Sequence, residues 1–155
     1  MDRTDVFHLT APCGIDCFNC EILEGNLTDE RRDRLAARYH LAPAAIACRG
    51  CREQACTVAT DCATRACVLE RGLSFCSQCD DFPCTRLQPA RAGADVYPHN
   101  IKLYNLCRIQ AIGLQRWADE EATIVRRRYY EGAFKVGQGP VLASDDSGTP
   151  DRSRD

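Results

Sequence analysis

The spacing of apolar side chains predicts a short amphipathic helix over residues 28–41, in the first third of the chain. Leu35 and Tyr39 are four residues apart, so they lie on one face of this helix, and arginines occupy its other faces. Thr28 is a suitable N-cap because its hydroxyl oxygen can accept a hydrogen bond from a free amide of the first turn. Pro43 disfavours a longer helix, which is therefore expected to end before it.

A second apolar pattern begins at Asn100 and predicts a pair of helices in the C-terminal part of the chain. Asn100 is a suitable N-cap for the first helix, and Gly113 is a suitable stop for it. The apolar positions of the first helix are Ile101, Leu103, Leu106, Cys107 and Ile109. Those of the second helix are Leu114, Trp117, Ala118, Ile124 and Val125. Because each helix has an apolar side, we expect the pair to pack over the cysteine-rich stretch that precedes it.

A third, shorter helix is predicted over residues 60–71, with Thr60 or Asp61 as its N-cap. Cys62 and Cys67 are five residues apart, which places them roughly 140° apart around a helix. Two thiols in the middle of a helix at that angle cannot bind the same ion. Either Cys62 lies at the start of the helix, or the two cysteines belong to different sites.

These patterns predict a mainly α fold: one small, irregular, metal-stabilised domain with cysteine knuckles and a C-terminal helical pair. We place this domain at residues 1–136 and a flexible tail, rich in Gly, Ser, Asp and Pro, at residues 137–155, with the last dozen residues disordered. Leu, Ile, Val and Phe make up 31 of the 155 residues. That is a small apolar content to offset the conformational entropy lost on folding, so we expect another source of stability.

Eleven of the twelve cysteines lie in one stretch, at spacings that suit metal binding. They are Cys13, Cys17, Cys20, Cys48, Cys51, Cys56, Cys62, Cys67, Cys76, Cys79 and Cys84. Thiolates two or three residues apart can converge on one cation, as they do in zinc and iron–sulfur sites. A structural zinc site can contribute roughly 10–16 kcal/mol of apparent folding free energy, comparable to the net stability of a whole domain. The sequence therefore predicts a metal-binding protein, with zinc as the first interpretation.

Spacing also suggests how the thiols share their ions. The best four-ligand zinc site joins two C-x2-C units, Cys48 with Cys51 and Cys76 with Cys79. A second site would use Cys13, Cys17 and Cys20 with a distant ligand such as Cys84. Cys56, Cys62 and Cys67 would then share a third site. Spacing alone does not assign these partners.

Two other uses of the cysteines stay open. Cys13, Cys17 and Cys20 have the C-x3-C-x2-C spacing that binds the iron–sulfur cluster of radical enzymes using S-adenosylmethionine, although the chain is too short for the barrel of those enzymes. The segment could still hold a cluster of another kind, with a redox or regulatory role. A thiol–disulfide enzyme is less well supported, because no βαβ pattern surrounds any C-x-x-C pair.

Cys107 is separate from the other cysteines, on the apolar side of a predicted helix. The first interpretation is a small buried core residue, and the alternative is a fourth ligand for a site with three cysteines. Asp80 and Asp81, between two cysteines, are expected to be solvated rather than catalytic. The histidines His8, His40 and His99 form no H-x-x-H or H-E-x-x-H pattern, which argues against a catalytic zinc of the protease type.

Charge gives little indication of a partner. The net charge of −2 gives no overall attraction to nucleic acid or to an anionic membrane. One basic and aromatic cluster, Arg126 to Arg128 followed by Tyr129 and Tyr130, could bind RNA through phosphate contacts and base stacking. No triad, phosphate-binding loop or dinucleotide glycine pattern is present, so the sequence does not indicate an enzyme.

The order of these motifs resembles that of a prokaryotic family called domain of unknown function 3795. The matching elements are CGIDCFNC, CRGC, CATRACVLERG, CSQCDDFPC and a Gly-x3-Trp element at residues 113–117, so the resemblance covers about residues 10–120. It implies a small, cysteine-rich, zinc-binding protein and no particular reaction. Some members carry a further cysteine pair after the tryptophan helix. Here that segment reads RRRYYEGAFKVGQG and has none, so a site built on that pair would be missing.

Together these observations predict a zinc-binding structural or interaction module whose partner is an unidentified protein. The sequence contains no apolar run of membrane-spanning length and no secretion signal at its start, so we expect a cytoplasmic protein whose thiols stay reduced. An iron–sulfur protein is the main alternative, and an RNA-binding module is a weaker one.

Overall fold

The computed structural model describes residues 2–53, 56–57, 62–87, 100–135 and 139–143. Within these residues the chain is mainly helical, which confirms the predicted fold class. Its α-helices are α1 (Arg3–His8), α2 (Asp29–Tyr39), α3 (Ala63–Glu70), α4 (Asn100–Ile112), α5 (Leu114–Glu120) and α6 (Ala122–Glu131). Single turns of 3-10 helix lie at Cys17–Asn19, Glu24–Asn26, Pro43–Ala45, Cys51–Glu53 and Cys76–Gln78. None of the described helices is long and apolar enough to cross a bilayer.

Helix α2 confirms the prediction for residues 28–41. The Thr28 side chain accepts a hydrogen bond from the amide of Arg31 at 3.3 Å, as expected of an N-cap. The helix ends at Tyr39 because His40 adopts a left-handed backbone conformation with φ 54°. The His40 amide donates to the carbonyl of Ala36, which closes the last turn.

Helix α3 is shorter than the predicted helix over residues 60–71. Cys62 occupies its N-cap position, and Thr60 and Asp61 lie outside the described residues. Cys62 therefore lies at the start of this helix and Cys67 within it, which agrees with the first of the two alternatives. Gly72, with φ +64°, follows the helix and allows the chain to turn back.

The predicted C-terminal helical pair consists of three helices. The second predicted helix is interrupted at Glu121, whose backbone (φ −121°, ψ −38°) departs from helical values and separates α5 from α6. The Glu121 carboxylate accepts a hydrogen bond from Arg108 Nε of α4 at 2.8 Å. As a result, Ile124 is half exposed rather than part of an apolar side, whereas Val125 is buried.

Cys107 does not lie in the core, contrary to the prediction. Its neighbour Leu106 and the next-but-one residue Ile109 are buried against the rest of the molecule, and Cys107 is exposed on the outer side of α4. A side chain one position after a buried residue points about 100° away from it around a helix. The apolar pattern therefore included Cys107 on the wrong side of the helix.

Two apolar clusters hold the helices against the cysteine-rich stretch, as predicted. The first consists of Val68, Phe75, Cys76, Leu87 and Leu106. The second consists of Ile109, Trp117 and Ala122, with Phe18 packed against it. The rings of Phe18 and Trp117 meet edge to face with 5.9 Å between centroids. Helix α4 contributes Leu106 to the first cluster and Ile109 to the second, so it packs against both parts of the core.

A short antiparallel hairpin follows α6. Its strands are β1 (Ala133–Lys135) and β2 (Gly139–Val141), with Ala133 opposite Val141. The hairpin is not among the predicted elements, and it spans the boundary that we placed after residue 136. Residues 144–155, where disorder was predicted, lie outside the described residues.

Candidate metal centres

The first cysteine segment, residues 13–20, turns tightly against α4. Gly14 has φ +85°, and a Cβ atom there would lie 2.9 Å from both Lys102 O and Leu106 Cγ. The Asn105 side-chain amide donates to Gly14 O at 2.8 Å and fixes the turn. Glycine is needed here both for its left-handed backbone and for the close approach to the helix.

Helices α5 and α6 hold the same segment from a second direction. Arg126 Nη1 forms an ion pair with Asp16 Oδ1 at 2.9 Å, and the Thr123 hydroxyl donates to Asn19 Oδ1 at 3.3 Å. Trp117 packs on Phe18. The residues beside Cys17 and Cys20 are therefore positioned by side chains about a hundred positions later in the chain.

Five thiols from two parts of the chain form one group, here called the Cys17 group. Its members are Cys17, Cys20, Cys48, Cys51 and Cys56. The Cys51 thiol donates a hydrogen bond to the Cys17 sulfur, which lowers the pKa of Cys17 and raises that of Cys51. Cys48 donates to Cys56 in the same way, which raises the pKa of Cys48. Burial raises the pKa of Cys20, and the nearby charges of Cys17 and Cys56 raise it further.

Backbone hydrogen bonds keep the two parts of the Cys17 group together. Cys48 and Cys56 face each other across an isolated antiparallel bridge, which brings the start and end of the 48–56 loop together. The amide of Glu24 donates to Cys48 O at 2.9 Å and joins this loop to the first segment. The amide of Gly50 points at Cys48 Sγ, 3.4 Å away, an arrangement that stabilises a thiolate.

A second set of four thiols, here called the Cys76 group, lies between α3 and the segment that follows it. Its members are Cys67, Cys76, Cys79 and Cys84, and all four line one small cavity. Burial raises the pKa of Cys76 to about 12, and the charges of the other three thiols add to this effect. The amide of Cys76 donates to Pro12 O at 2.9 Å, which places this group next to the first segment.

One arginine contacts the Cys76 group directly. Arg71 Nη1 donates a hydrogen bond to Cys79 Sγ at 2.8 Å, and Arg71 Nη2 pairs with Asp81 Oδ2, also at 2.8 Å. The carboxylate fixes the direction of the guanidinium group, and that group in turn fixes the sulfur. No motif in the sequence indicated Arg71, since it lies eight positions before the cysteine that it contacts.

Cys13 lies near both groups, and Cys62 lies near Cys13. Burial raises the pKa of Cys13, and the charges of Cys17 and Cys62 raise it further. Cys13 also raises the pKa of Cys76 and that of Cys51, so its thiol is near both groups. The three thiols of the C-x3-C-x2-C segment are thus not a separate set, because Cys17 and Cys20 belong to one group and Cys13 lies near both groups.

This arrangement differs from the predicted partition. Cys48 and Cys51 lie with Cys17, whereas Cys76 and Cys79 lie with Cys67 and Cys84, so the two C-x2-C units are in separate groups. The predicted third set is also divided, since Cys56 belongs to the Cys17 group and Cys67 to the Cys76 group. The first segment was also predicted to share a site with Cys84. In the structure, Cys13 of that segment and Cys84 both lie near Cys76.

The donors suit a cation that prefers sulfur. All twelve cysteines are free thiols, and two groups each offer at least four of them, the number that tetrahedral zinc requires. In the described part of the chain, no three or more His, Cys, Asp or Glu side chains already stand in an arrangement that could hold an ion. The donor atoms thus fit zinc, but their present positions do not form a site. To bind an ion, the thiols of a group would have to draw together.

The other candidate residues are engaged elsewhere or exposed. Arg126 is paired with Asp16 and covers the ring of Tyr130 at 4.8 Å, and Arg127 pairs with Glu131. Two of the three arginines of the predicted RNA-binding cluster thus have intramolecular carboxylate partners. Asp80 and Asp81 are exposed, as expected, His40 caps α2, His8 ends α1, and His99 lies outside the described residues.

The fold and the thiol groups define a small, mainly helical, cysteine-rich domain. Residues 9–89 match the model of a family described as "Protein of unknown function (DUF3795)". The match covers more than half of the chain, and the protein belongs to this family. No curated protein and no solved structure matches the chain. The matched residues end before α4, whereas the resemblance was expected to reach about residue 120, so the Gly-x3-Trp element lies outside the match.

Proposed function

We propose that this protein is a zinc-binding module in which thiolates hold the metal and the metal stabilises the fold. The observation that carries this proposal is the Cys17 group, where five thiols from residues 17–20 and 48–56 lie together and backbone hydrogen bonds join the two segments. Burial raises the pKa of Cys20, and the hydrogen bond with Cys56 raises that of Cys48. Thiols held this close also repel one another once they are ionised. A divalent cation removes that repulsion and provides each thiolate with a ligand bond.

Zinc is favoured over an iron–sulfur cluster by the position of Cys13. The iron–sulfur interpretation rests on the C-x3-C-x2-C segment, and Cys13 of that segment interacts with Cys51 and Cys76 as well as with Cys17, so its three thiols are not a separate set. Zinc sites commonly combine thiolates from two segments, and the Cys17 group offers two from residues 17–20 and three from residues 48–56. Reduced thiols are needed for such a site, so we place the protein in the reducing cytoplasm.

The module would act through its surface, once the metal has fixed its fold. Several large apolar side chains on the helices are half exposed, among them Leu69 (52 %), Ile124 (50 %) and Tyr130 (51 %). Such side chains suit contact with another protein better than with nucleic acid, and the net charge of −2 agrees with this preference. We therefore propose a protein partner.

The test is metal content and a visible spectrum of protein purified without oxygen, followed by treatment with a strong chelator. We expect zinc, no visible band, and cooperative loss of helical circular dichroism as zinc is removed. Cys17→Ser should lower the zinc content, whereas Cys107→Ser, which alters an exposed cysteine, should leave it unchanged. Protein that binds no zinc and keeps its circular dichroism in chelator would refute the proposal. Iron with sulfide and a band that bleaches on reduction would support the iron–sulfur alternative instead.

A further inference from the structure

The four thiols of the Cys76 group surround one small cavity. It has a volume of about 30 Å³, enough for one water molecule or one ion. Its four thiols come from α3 (Cys67) and from three positions of the following segment (Cys76, Cys79 and Cys84). Apart from two arginines and one threonine, the other lining residues are apolar: Val68, Leu73, Phe82 and Leu87.

This lining selects for a cation that binds sulfur. A hard cation such as Mg²⁺ or Ca²⁺ needs oxygen ligands and keeps bound water, which apolar walls do not accommodate. A soft or borderline cation exchanges its water for thiolates and is left in a dry, tetrahedral environment. Four thiols around a cavity of one-ion size match the ligand number of a structural zinc site, and they would have to draw together to bind the ion.

Arg71 supplies the charge that such a site needs. Four thiolates around a divalent cation leave a net negative charge in a partly buried place, which must be offset nearby. Arg71 Nη1 already donates to Cys79 Sγ at 2.8 Å, and Arg86 also lines the cavity. A guanidinium hydrogen bond to a ligand sulfur orients that ligand and reduces the negative charge on it. Asp81, at 2.8 Å from Arg71, holds the guanidinium group in place.

We propose that the Cys76 group is a second metal site, separate from the Cys17 group, which binds one zinc ion or another thiophilic divalent cation. Arg71 is its positioning residue and acts through Cys79. This inference rests on the proposed function, since it takes thiolate metal binding as the chemistry of the chain. It adds that the chain binds two ions, one at the Cys17 group and one at the Cys76 group. It also adds that Arg71 offsets the negative charge of the second site.

Titration of the full-length, metal-free chain with Co²⁺ tests the stoichiometry, because thiolate-bound cobalt is coloured and each site can be counted. We expect two equivalents in the unchanged protein. The double variant Cys79→Ser, Cys84→Ser should lose one equivalent, and Cys17→Ser should lose the other. Neither Cys79 nor Cys84 is among the buried residues, and far-UV circular dichroism checks that each variant folds.

The role of Arg71 is tested in protein that keeps all its cysteines. Arg71→Met should retain two equivalents and lower the affinity of one site by about 10–100-fold, the usual effect of losing a hydrogen bond to a metal ligand. Arg71→Lys should restore part of the affinity, and Arg127→Met, an exposed arginine on α6, should have no effect.

The outcomes separate the two proposals. Protein that binds no cobalt or zinc at all contradicts the proposed function itself. One equivalent, lost in Cys17→Ser and kept in the Cys79, Cys84 double variant, supports the proposed function and overturns the second site. Two equivalents with unchanged affinity in Arg71→Met support the second site and overturn the role of Arg71.

Discussion

Arg126 of α6 and Asp16 of the first cysteine segment form a buried ion pair, with 2.9 Å between Nη1 and Oδ1. The Asp16 side chain is 0 % exposed and that of Arg126 is 15 % exposed, so neither charge is well solvated. Burial raises the pKa of Asp16, and Arg126 opposes that rise. Arg126 also lies close enough to Cys20 to lower its pKa against the effect of burial. Arg126 thus opposes the effect of burial on the pKa of two groups at once, the Asp16 carboxyl and the Cys20 thiol.

The first prediction concerns this pair. Arg126→Met should lower the free energy of unfolding by about 3–5 kcal/mol, because it leaves the Asp16 carboxylate buried without a partner. The affinity of the Cys17 group for metal should fall as well, since an uncompensated negative charge beside Cys17 adds to the repulsion among its thiolates. Urea unfolding of the metal-loaded protein and competition with a chromophoric chelator measure the two effects.

Two further variants separate the charge of Arg126 from its packing. In the double variant Asp16→Asn, Arg126→Met, much of the lost stability should return, because no buried charge remains. Arg127→Met is the matched control, since Arg127 is exposed and pairs with Glu131 one turn along α6. If the single variant Arg126→Met were as stable as Arg127→Met, the pair would have no structural role.

The second prediction concerns the contact between the first segment and α4. Gly14→Ala should destabilise the protein by at least about 1–2 kcal/mol, because the left-handed backbone disfavours a Cβ atom. The overlap of that atom with Lys102 O, a backbone atom that cannot move aside, should add to this cost. Gly25→Ala is the control, since a Cβ atom there would meet nothing within 4 Å and its φ is not in the left-handed region. Equal midpoints in urea for the two variants would show that the segment does not depend on this contact.

Arg52 is the basis of the third prediction. Its guanidinium group lies against the rings of Phe7 (4.2 Å to the centroid) and Phe75 (4.8 Å), and its Nε and Nη2 atoms donate to Thr10 O and Ser74 O, each at 2.9 Å. Arg52→Lys should cost about 1.5–3 kcal/mol, because an ammonium group cannot reproduce this planar set of bonds and ring contacts.

The measurement for Arg52→Lys is urea unfolding beside Arg34→Lys, a control that changes an exposed arginine of α2. Arg52 follows Cys51 directly and reaches the segment that leads to Cys76, so it joins the surroundings of both thiol groups. If Arg52→Lys lost no more stability than Arg34→Lys, lysine could replace Arg52, and the planar geometry of its guanidinium group would be unimportant.

The sequence predicted those parts of the structure that depend on neighbouring residues. The cap at Thr28 and the start of α4 close to Asn100 follow from local backbone and side-chain preferences, and the structure has both, although Asn100 is the first residue of α4 rather than its N-cap. The break at Glu121 was missed; the residue at the break pairs with Arg108, thirteen residues earlier and on another helix. Helical periodicity contains no signal for such a contact.

The candidate sites show the same limit. Spacing identified the cysteines as candidate ligands, but the division into two groups depends on which segments meet. That is decided by contacts such as the bond from the amide of Cys76 to Pro12 O, between residues more than sixty positions apart. Likewise, Arg126 was interpreted as part of an RNA-binding cluster because Asp16, its partner, lies 110 positions away.

The last prediction uses Cys107, which is exposed on α4 and belongs to neither thiol group. In metal-loaded protein, one thiol should react quickly with Ellman's reagent, since an exposed thiol is accessible and metal-bound thiolates are protected. Cys107→Ser should remove this fast phase and leave the metal content unchanged. A chelator should then release the remaining thiols for reaction, in both the variant and the unchanged protein. If instead Cys107→Ser lowered the metal content by one equivalent, Cys107 would be a ligand, and α4 would have to rotate to bring it to a thiol group.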